Sequence, residues 1–344
     1  MSKKILLENI KKYDKSNMKD MILSFPNQIR DSFEIMKNFK VQNNDFNNIL
    51  VCGMGGSAIA GDICKEITHD SSDLFLYVNR DYKLPKWVDK KTLVIISSYS
   101  GNTEETISCY KESMKRKIKP VVITTGGFLL DQAIKNNQSH IKFPSGFQPR
   151  AAIGYSISLL MLILNKFKVI KNNLIHEIEN SLSVIEKQNN QLSMLNNHNE
   201  SIVLAGKIYN KFAIIYIDNH LESIALRFRC QLAENAKILS SHFIFPEQNH
   251  NEIEAFEKSC KKDLAIVWIY TNNDYEKIKD RMIFTSRILK SIKNQYNVVK
   301  TESHNIQNIL TLINFFDWVS YYCAMYNKID PTPVNSIKKI KSMI

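Results

Sequence analysis

The sequence predicts an α/β protein of two domains, each a parallel sheet flanked by helices in a flavodoxin-like three-layer sandwich. The chain of 344 residues is longer than one ordinary core requires and suits two domains of similar size. Short β-branched runs alternate with helical patterns, which is typical of a parallel sheet with helices on both faces. Apolar residues make up 44% of the chain, which is enough for globular packing.

Residues 1–45 are predicted to form a polar, helical N-terminal segment that packs on the domains. Ile29, Phe33 and Met36 recur at helical spacing and predict its packing face. The apolar run near the N-terminus, Ile5–Leu7, is too short for the core of a signal peptide.

The first predicted domain comprises residues 46–185. Helices are expected to begin at Ser57 after the first strand and at Asn102 after the third, and a long helix is expected from Ala151 to Lys168. The strands are predicted at Ile49–Cys52, Leu74–Val78, Leu93–Ser97, Val121–Thr124 and Ile141–Phe143.

The second predicted domain comprises residues 186–344, and its Asn- and Gln-rich start, Glu186–Glu200, is interpreted as the linker region. Ile202–Lys207 faintly resembles Leu50–Met54, which suggests a duplication of one α/β unit. A short helix is expected after Asp330–Pro333, where proline stiffens the entry. The strands are predicted at Ile202–Ala205, Ala213–Ile217, Leu264–Tyr270 and Asn297–Lys300.

The charge balance favours an anionic small molecule as the binding partner. The net charge is +12, from 46 basic and 34 acidic residues, but no basic cluster or reader motif indicates nucleic acid binding. The longest apolar run, about Ile153 to Leu164, is shorter than the roughly 20 residues of a membrane span, so no membrane association is expected.

The cysteines are widely scattered and include no C-x-x-C pair. This spacing argues against a structural zinc site and a disulfide framework, and it favours reduced thiols in the cytoplasm. The six cysteines are Cys52, Cys64, Cys109, Cys230, Cys260 and Cys323.

Two polar loops carry the strongest functional signal. Gly53–Ser57 follows the first predicted strand, and Ser98–Glu105 follows the third. A strand–loop–helix turn of this kind aims backbone N–H groups and a helix N-terminus at one point, where a phosphate dianion binds well. Because ligands of parallel sheets sit at the carboxyl ends of the strands, the two loops together predict a sugar-phosphate cradle.

Two other interpretations of these loops stay open. Gly53-x-Gly55-x-x-Ala58 loosely fits a dinucleotide fingerprint, although the acidic residue expected after the next strand is replaced by Asn79-Arg80. An arginine at that point suits the 2′-phosphate of NADP. The second loop could also be a simple turn with a helix cap.

Three further residues are candidates for chemistry. Arg150 lies close to a predicted helix start, where the macrodipole disfavours a cation, so an anion is expected nearby. Glu234 stands in an otherwise apolar helical stretch, and His250 lies in the polar loop Pro246–Glu252. No cluster of histidine and carboxylate ligands that could hold a metal is apparent from the sequence.

Taken together, these segments resemble, in order and spacing, the bifunctional phosphoglucose/phosphomannose isomerase family of the sugar isomerase (SIS) fold. The resemblance covers most of the chain, from about residue 50 to the C-terminus. The matching pieces are Gly53–Ser57, Ser98–Glu105, Pro149-Arg150, Glu234-Asn235, His250–Glu252 and Asp330–Val334.

The resemblance implies two SIS domains in a homodimer with shared active sites and a hexose 6-phosphate substrate. It implies that Glu234 moves a proton between C1 and C2, that Arg150 stabilises the enediolate, and that His250 of the neighbouring subunit assists ring opening. The residues that the resemblance implies for phosphate and sugar binding are Gly55, Gly56, Ser57, Ser98, Ser100 and Thr103.

The C-terminal segment is implied to complete the site. Thr332 would make room for either configuration at C2, and a lysine would assist ring opening. Lys339, seven residues after Thr332, is favoured over Lys338 and Lys341.

The sequence therefore predicts a cytoplasmic isomerase that interconverts glucose 6-phosphate or mannose 6-phosphate with fructose 6-phosphate and needs no cofactor or metal. Such a reaction requires a base at the C1–C2 edge and a cation for the developing oxyanion. The alternatives are a sugar-phosphate sensor without catalysis, which would need the loops but no base, and an NADP-dependent oxidoreductase.

Overall fold

The computed structural model describes residues 3–41, 45–258, 263–302 and 305–343. Two compact units are present: the first unit is Ser24–Leu182, and the second unit combines Met1–Leu23 with Ser183–Ile344. The domain bounds 46–185 and 186–344 stay a sequence-based prediction. Among the described residues, none of the helices combines the length and apolar character needed to cross a bilayer.

The α-helices, in chain order, are α1 Lys3–Tyr13, α2 Met18–Leu23, α3 Phe25–Met36, α4 Gly55–Thr68, α5 Glu104–Lys115, α6 Gly127–Lys135, α7 Ile153–Lys166, α8 Asn172–Ser193, α9 Glu200–Ile208, α10 Glu222–Gln231, α11 Glu276–Ile288, α12 Asn305–Tyr326 and α13 Asn335–Lys341. The strands are β1 Asn48–Cys52, β2 Phe75–Asn79, β3 Thr92–Ser97, β4 Val121–Thr124, β5 His140–Lys142, β6 Phe212–Asp218, β7 Ser240–Phe245, β8 Leu264–Thr271 and β9 Gln295–Lys300.

The first unit contains a five-stranded parallel sheet in the order β2-β1-β3-β4-β5. Strands β3 and β4 are buried along their whole length, which explains their continuous apolar sequences. Helix α7 packs against α3 and α4. The predicted packing face of α3 is confirmed, since Ile29 and Met36 are buried and Phe33 is half-buried.

The second unit contains a four-stranded parallel sheet in the order β7-β6-β8-β9. Helix α12 is buried along nearly its whole length and packs against α9, α10 and α1. Inside this packing, the Arg227 guanidinium donates to both carboxylate oxygens of Asp317 at 2.7 and 2.8 Å, and Gln231 Nε2 donates to the same carboxylate at 2.6 Å. These bonds pair the two buried charges inside the helical layer.

The expected fold class is confirmed, and the strands of the first unit lie within one or two residues of their predicted positions. Helix α4 begins at Gly55 rather than Ser57, and α5 begins at Glu104 rather than Asn102. Both shifts fall at helix N-termini, where sequence patterns locate boundaries poorly.

The predicted strand Ile202–Ala205 is wrong, because these residues lie inside α9. The Asn199 side chain accepts hydrogen bonds from the N–H groups of Ser201 and Ile202 at 3.0 and 3.2 Å, and this N-cap starts a helix despite the β-branched residues that follow. Ile202–Lys207 is therefore helical, whereas Leu50–Met54 begins in a strand. The sequence similarity between the two segments gives no support for a duplication.

The predicted linker Glu186–Glu200 is also wrong, since α8 continues through it to Ser193. Asn189 is 2% exposed and accepts hydrogen bonds from Asn314 Nδ2 at 3.0 Å and Trp318 Nε1 at 2.7 Å. Asn189 is therefore a buried helix–helix contact, whereas the amide-rich composition of this segment suggested a solvated connection. Strand β7 was not predicted, because its half-exposed edge position gives a weak apolar pattern.

Candidate functional site

The first polar loop, Gly53–Ser57, lies at the carboxyl edge of the first-unit sheet. From β1 the chain crosses first to β2 on one side and then to β3 on the other, so the crevice between β1 and β3 is a topological switch point, where ligands of such sheets bind. At the start of α4, a Cβ on Gly56 would lie 3.0 Å from the Pro149 carbonyl oxygen. Any larger residue at this position would require the Pro149 backbone to shift by a few tenths of an ångström.

The second polar loop follows β3 on the other side of this crevice. The hydroxyls of Ser98 and Thr103 share a hydrogen bond of 2.9 Å, and Ser98 is 2% exposed. The Ser100 hydroxyl is exposed and accepts the Asn102 N–H at 3.2 Å. Ser100 is therefore open to a ligand, whereas Ser98 orients the half-buried Thr103.

A third loop, Thr124–Gly127 after β4, fixes the second one. Gly101 has a φ of +67°, and a Cβ there would lie 1.8 Å from the Gly126 carbonyl oxygen, so no other residue fits. The Asn102 side chain accepts the Phe128 N–H at 2.9 Å. This loop was not predicted from the sequence, although polar and glycine residues directly after a buried strand are a signal that could have identified it.

Arg150 belongs to the same neighbourhood. It is 5% exposed and lies on the 3-10 turn Pro149–Ala151, and its Cα is 3.6 Å from the position of a Cβ on Gly56. Phe147, just before this turn, donates its N–H to the Tyr99 hydroxyl in the second loop at 2.8 Å. The structure thus brings Arg150 and the predicted phosphate-binding loops together at one edge of the first-unit sheet.

In the second unit, Glu234 lies on a turn that the sequence did not predict. The chain leaves α10 through a π-helical turn, Leu232–Ala236, in which Glu234 is half-buried. Asn235 Nδ2 donates to the Ser320 hydroxyl at 2.9 Å, which anchors the turn to α12. Turns of this kind occur often at functional sites.

Lys237, which the sequence analysis did not single out, ends this turn with a φ of +57°. Its ammonium donates hydrogen bonds to the Glu234 carbonyl oxygen and, at 2.7 Å, to the Pro333 carbonyl oxygen. The neighbouring Thr332 is buried, and its N–H donates to the Asp330 carboxylate at 2.9 Å. Lys237 thus joins the Glu234 turn to the Thr332 segment.

The C-terminal helix α13 follows this segment and has no buried residues. Lys338, Lys339 and Lys341 are all exposed on it. The structure therefore gives none of the three lysines a distinctive environment, and the choice of Lys339 stays a prediction.

His250 is exposed at the end of the 3-10 turn Glu247–His250, which follows β7. The loop itself is well anchored. Asn249 Nδ2 donates to the Thr285 hydroxyl at 2.9 Å, and the Glu252 carboxylate accepts from Tyr216 at 2.8 Å and from Gln248 at 2.7 Å. Burial raises the pKa of Glu252 above its usual value, although these hydrogen bonds act in the opposite direction.

The sequence indicated no cluster of histidine and carboxylate groups that could hold a metal, and this expectation is wrong. Asp218, His220 and Asp274 each place a ligand atom within 4.8 Å of the others. This cluster could not be predicted from a local sequence pattern, because His220 and Asp274 are far apart in the chain. Only the pairing of β6 with β8 brings them together.

Arg80, the arginine on which an NADP site would depend, already has an ion-pair partner. Arg80 forms an ion pair with Asp62 on α4. Asn79 beside it is buried and donates to the Cys109 sulfur at 3.3 Å. Both side chains therefore have structural partners, which weakens the dinucleotide interpretation. Cys260 lies outside the described residues, and the free cysteines among the described ones include Cys52, Cys64, Cys109 and Cys323.

Comparison with known proteins defines the class first. Residues 197–344 match the family model of the bacterial phospho-glucose isomerase C-terminal SIS domain. The structure resembles a putative phosphosugar isomerase from Clostridium difficile 630, with a TM-score of 0.71 and 15% sequence identity over 94% of this chain and 97% of that one. The fold is therefore the SIS fold of phosphosugar isomerases.

Closer relatives define the family. The chain is 36% identical to a bifunctional phosphoglucose/phosphomannose isomerase of Caldicellulosiruptor bescii over 335 residues, which are 95% of this chain and 98% of the relative. It is also 36% identical, over 87% of its length and 90% of the relative, to the protein of the same name from Thermoplasma acidophilum. The chain belongs to the bifunctional phosphoglucose/phosphomannose isomerase family.

Proposed function

We propose that the chain interconverts glucose 6-phosphate and mannose 6-phosphate with fructose 6-phosphate through a cis-enediol intermediate. The observation that supports the proposal most is the packing of the Pro149-Arg150 backbone against Gly56, because the buried residue Arg150 is thereby next to the glycine loop at the switch point. Family membership over nearly the whole chain supports the same reaction.

The phosphate of the substrate is assigned to the two loops. Gly55 and Gly56 open α4, so their N–H groups and that of Ser57 belong to a helix N-terminus that favours a dianion. Ser100 supplies an exposed hydroxyl from the second loop, while Ser98 orients the hydroxyl of Thr103.

The proton transfer is assigned to Glu234. Its carboxylate removes the proton from C2 of the open-chain aldose and returns it to C1 of the ketose, while O1 gains and O2 loses a proton. Arg150 stabilises the enediolate formed between these steps. Thr332 accepts either configuration at C2, which allows both aldoses to react.

Ring opening precedes this transfer and is assigned to His250 and Lys339. In the proposed homodimer, the His250 of one protomer serves the site of its partner. The exposure of His250 at the end of an anchored loop is consistent with this assignment. We also place the enzyme in the cytoplasm, in keeping with its free thiols.

The direct test is a coupled assay with each of the three hexose 6-phosphates. We expect glucose 6-phosphate and mannose 6-phosphate both to yield fructose 6-phosphate without an added cofactor. Binding of these sugars without turnover would instead identify a sensor. Tight binding of NADPH in a fluorescence titration would identify an oxidoreductase.

A further inference from the structure

The sheet of the second unit has a switch point of its own. From β6 the chain crosses first to β7 on one side and then to β8 on the other, so the crevice lies between the carboxyl ends of β6 and β8. In open parallel sheets this crevice is where ligands bind. In the first unit it carries glycine and hydroxyl groups, whereas here it carries Asp218, His220 and Asp274.

These three side chains meet closely. Asp218 is the last residue of β6, Asp274 follows the end of β8, and His220 lies on the turn after β6. His220 Nδ1 is 3.3 Å from an oxygen of Asp218, and Nε2 is 3.8 Å from an oxygen of Asp274. Asp218 is 6% exposed and Asp274 is 5% exposed.

The Nε2 atom of His220 is buried and has no hydrogen-bond partner among the described residues. Its ring orientation is nevertheless held, because Nδ1 faces the Asp218 carboxylate. In metal sites a carboxylate commonly holds the second nitrogen of a ligating histidine in this way, which leaves the other nitrogen unprotonated and able to bind a cation.

Both carboxylates are fixed in place by the backbone. One oxygen of Asp274 accepts the Thr271 N–H at 2.8 Å, and Asp218 accepts the Tyr275 N–H at 3.3 Å. The two carboxylates are therefore held in position without a bound ion. Since the His220 side chain is 34% exposed, water can reach the crevice and fill the remaining coordination positions.

We propose that His220 Nε2 and the Asp274 carboxylate bind a divalent first-row transition-metal ion, such as Mn²⁺ or Zn²⁺, at the second switch point, with Asp218 holding the imidazole ring through Nδ1. One imidazole nitrogen with carboxylate oxygens suits these ions better than Ca²⁺ or Mg²⁺, which prefer oxygen ligands alone. Ligand atoms about 2.1 Å from one ion lie roughly 3 to 4 Å apart, which matches the 3.8 Å between His220 Nε2 and the Asp274 oxygen. The ion would tie the loop after β6 to the loop after β8.

Manganese binding to the full chain tests this proposal, because electron paramagnetic resonance distinguishes free from bound Mn²⁺ and buried thiols compete poorly for this ion. After chelator treatment, the wild-type chain should bind one Mn²⁺ that Zn²⁺ displaces and that equimolar Mg²⁺ does not. His220→Gln and Asp274→Asn should each weaken binding about tenfold or more. The matched control is His69→Gln, which removes an exposed histidine beside Asp70 and should leave binding unchanged.

Circular dichroism establishes that each variant is folded. Asp274 also holds the Thr271 turn, so His220→Gln is the decisive variant if Asp274→Asn fails to fold. An imidazolium ion paired with both carboxylates is the competing interpretation, and it predicts no bound Mn²⁺ even at millimolar concentration. That result, or equal affinity in the wild type and His220→Gln, would overturn the proposal. Isomerase activity is a separate readout and does not decide it.

Discussion

At the scale of single residues, Lys237 is the most informative addition to the site. Its ammonium holds the Glu234 turn against the Pro333 carbonyl group, so it positions the proposed base without being assigned any chemistry itself. A base displaced by even a fraction of an ångström transfers protons less efficiently. The role of Lys237 can therefore be separated from substrate binding.

We expect Lys237→Met to lower kcat about tenfold while changing KM little, because hydrogen bonds from a charged group contribute roughly 1.5–3 kcal/mol. Lys237→Arg should restore part of the loss. Lys328→Met is the matched control, since Lys328 has the same left-handed backbone, with a φ of +57°. Steady-state kinetics with fructose 6-phosphate provide the measurement, and an equal loss in the control would show that Lys237 has no special role.

Ser100 allows a test of the phosphate loop. Ser100→Ala removes an exposed hydroxyl, and KM for fructose 6-phosphate should rise about tenfold, because a hydrogen bond to a charged acceptor is lost. Binding of unphosphorylated fructose should change less. Ser108→Ala, farther along α5, is the control. If both sugars lose the same affinity, the loop does not hold the phosphate.

At the scale of elements, the parts of the fold that could be predicted from sequence are those with a local sequence pattern. The buried strands β3 and β4 could be predicted from their β-branched runs. The two loops could be predicted from glycine and hydroxyl residues at the ends of strands. The Glu234 turn could not be predicted in its π form, because it depends on the contact between Asn235 and Ser320 on α12. The cluster around His220 likewise depends on the register of β6 against β8.

The start of α9 provides a stability prediction at this scale. Asn199 caps the helix and also donates from Nδ2 to the carbonyl oxygens of Leu192 and Met194 at 2.6 and 2.8 Å. Asn199→Ala should cost about 2–4 kcal/mol, from a lost N-cap and two lost buried hydrogen bonds. Thermal unfolding measures the loss, and Asn190→Ala on the exposed side of α8 is the control. Matching unfolding midpoints in the two variants would contradict this account of α9.

At the scale of the whole molecule, the proposed homodimer with shared sites has a consequence for mixtures. Glu234→Gln and His250→Ala should each be inactive alone. In a mixed dimer, one site would carry both defects and the other neither. With random exchange at equal amounts, about half of the dimers are mixed, so about a quarter of all sites should be intact.

Differently tagged chains can establish that exchange has occurred before activity is measured. Recovery of activity to about a quarter of the wild-type value would support a His250 supplied by the partner. If isolated heterodimers remain inactive, His250 acts within its own chain or takes no part. The anchored loop around it would then serve only the second unit.

The central claim is that this chain moves a proton between C1 and C2 with Glu234 as the base. Its most direct test is the rate at which wild type and Glu234→Gln convert fructose 6-phosphate into glucose 6-phosphate and mannose 6-phosphate, with substrate affinity measured by calorimetry. Glu222→Gln, on the preceding helix α10, is the control. We expect Glu234→Gln to bind substrate normally but to lose about 10² to 10⁴ in kcat for both products. A near-normal kcat in this variant would contradict the account.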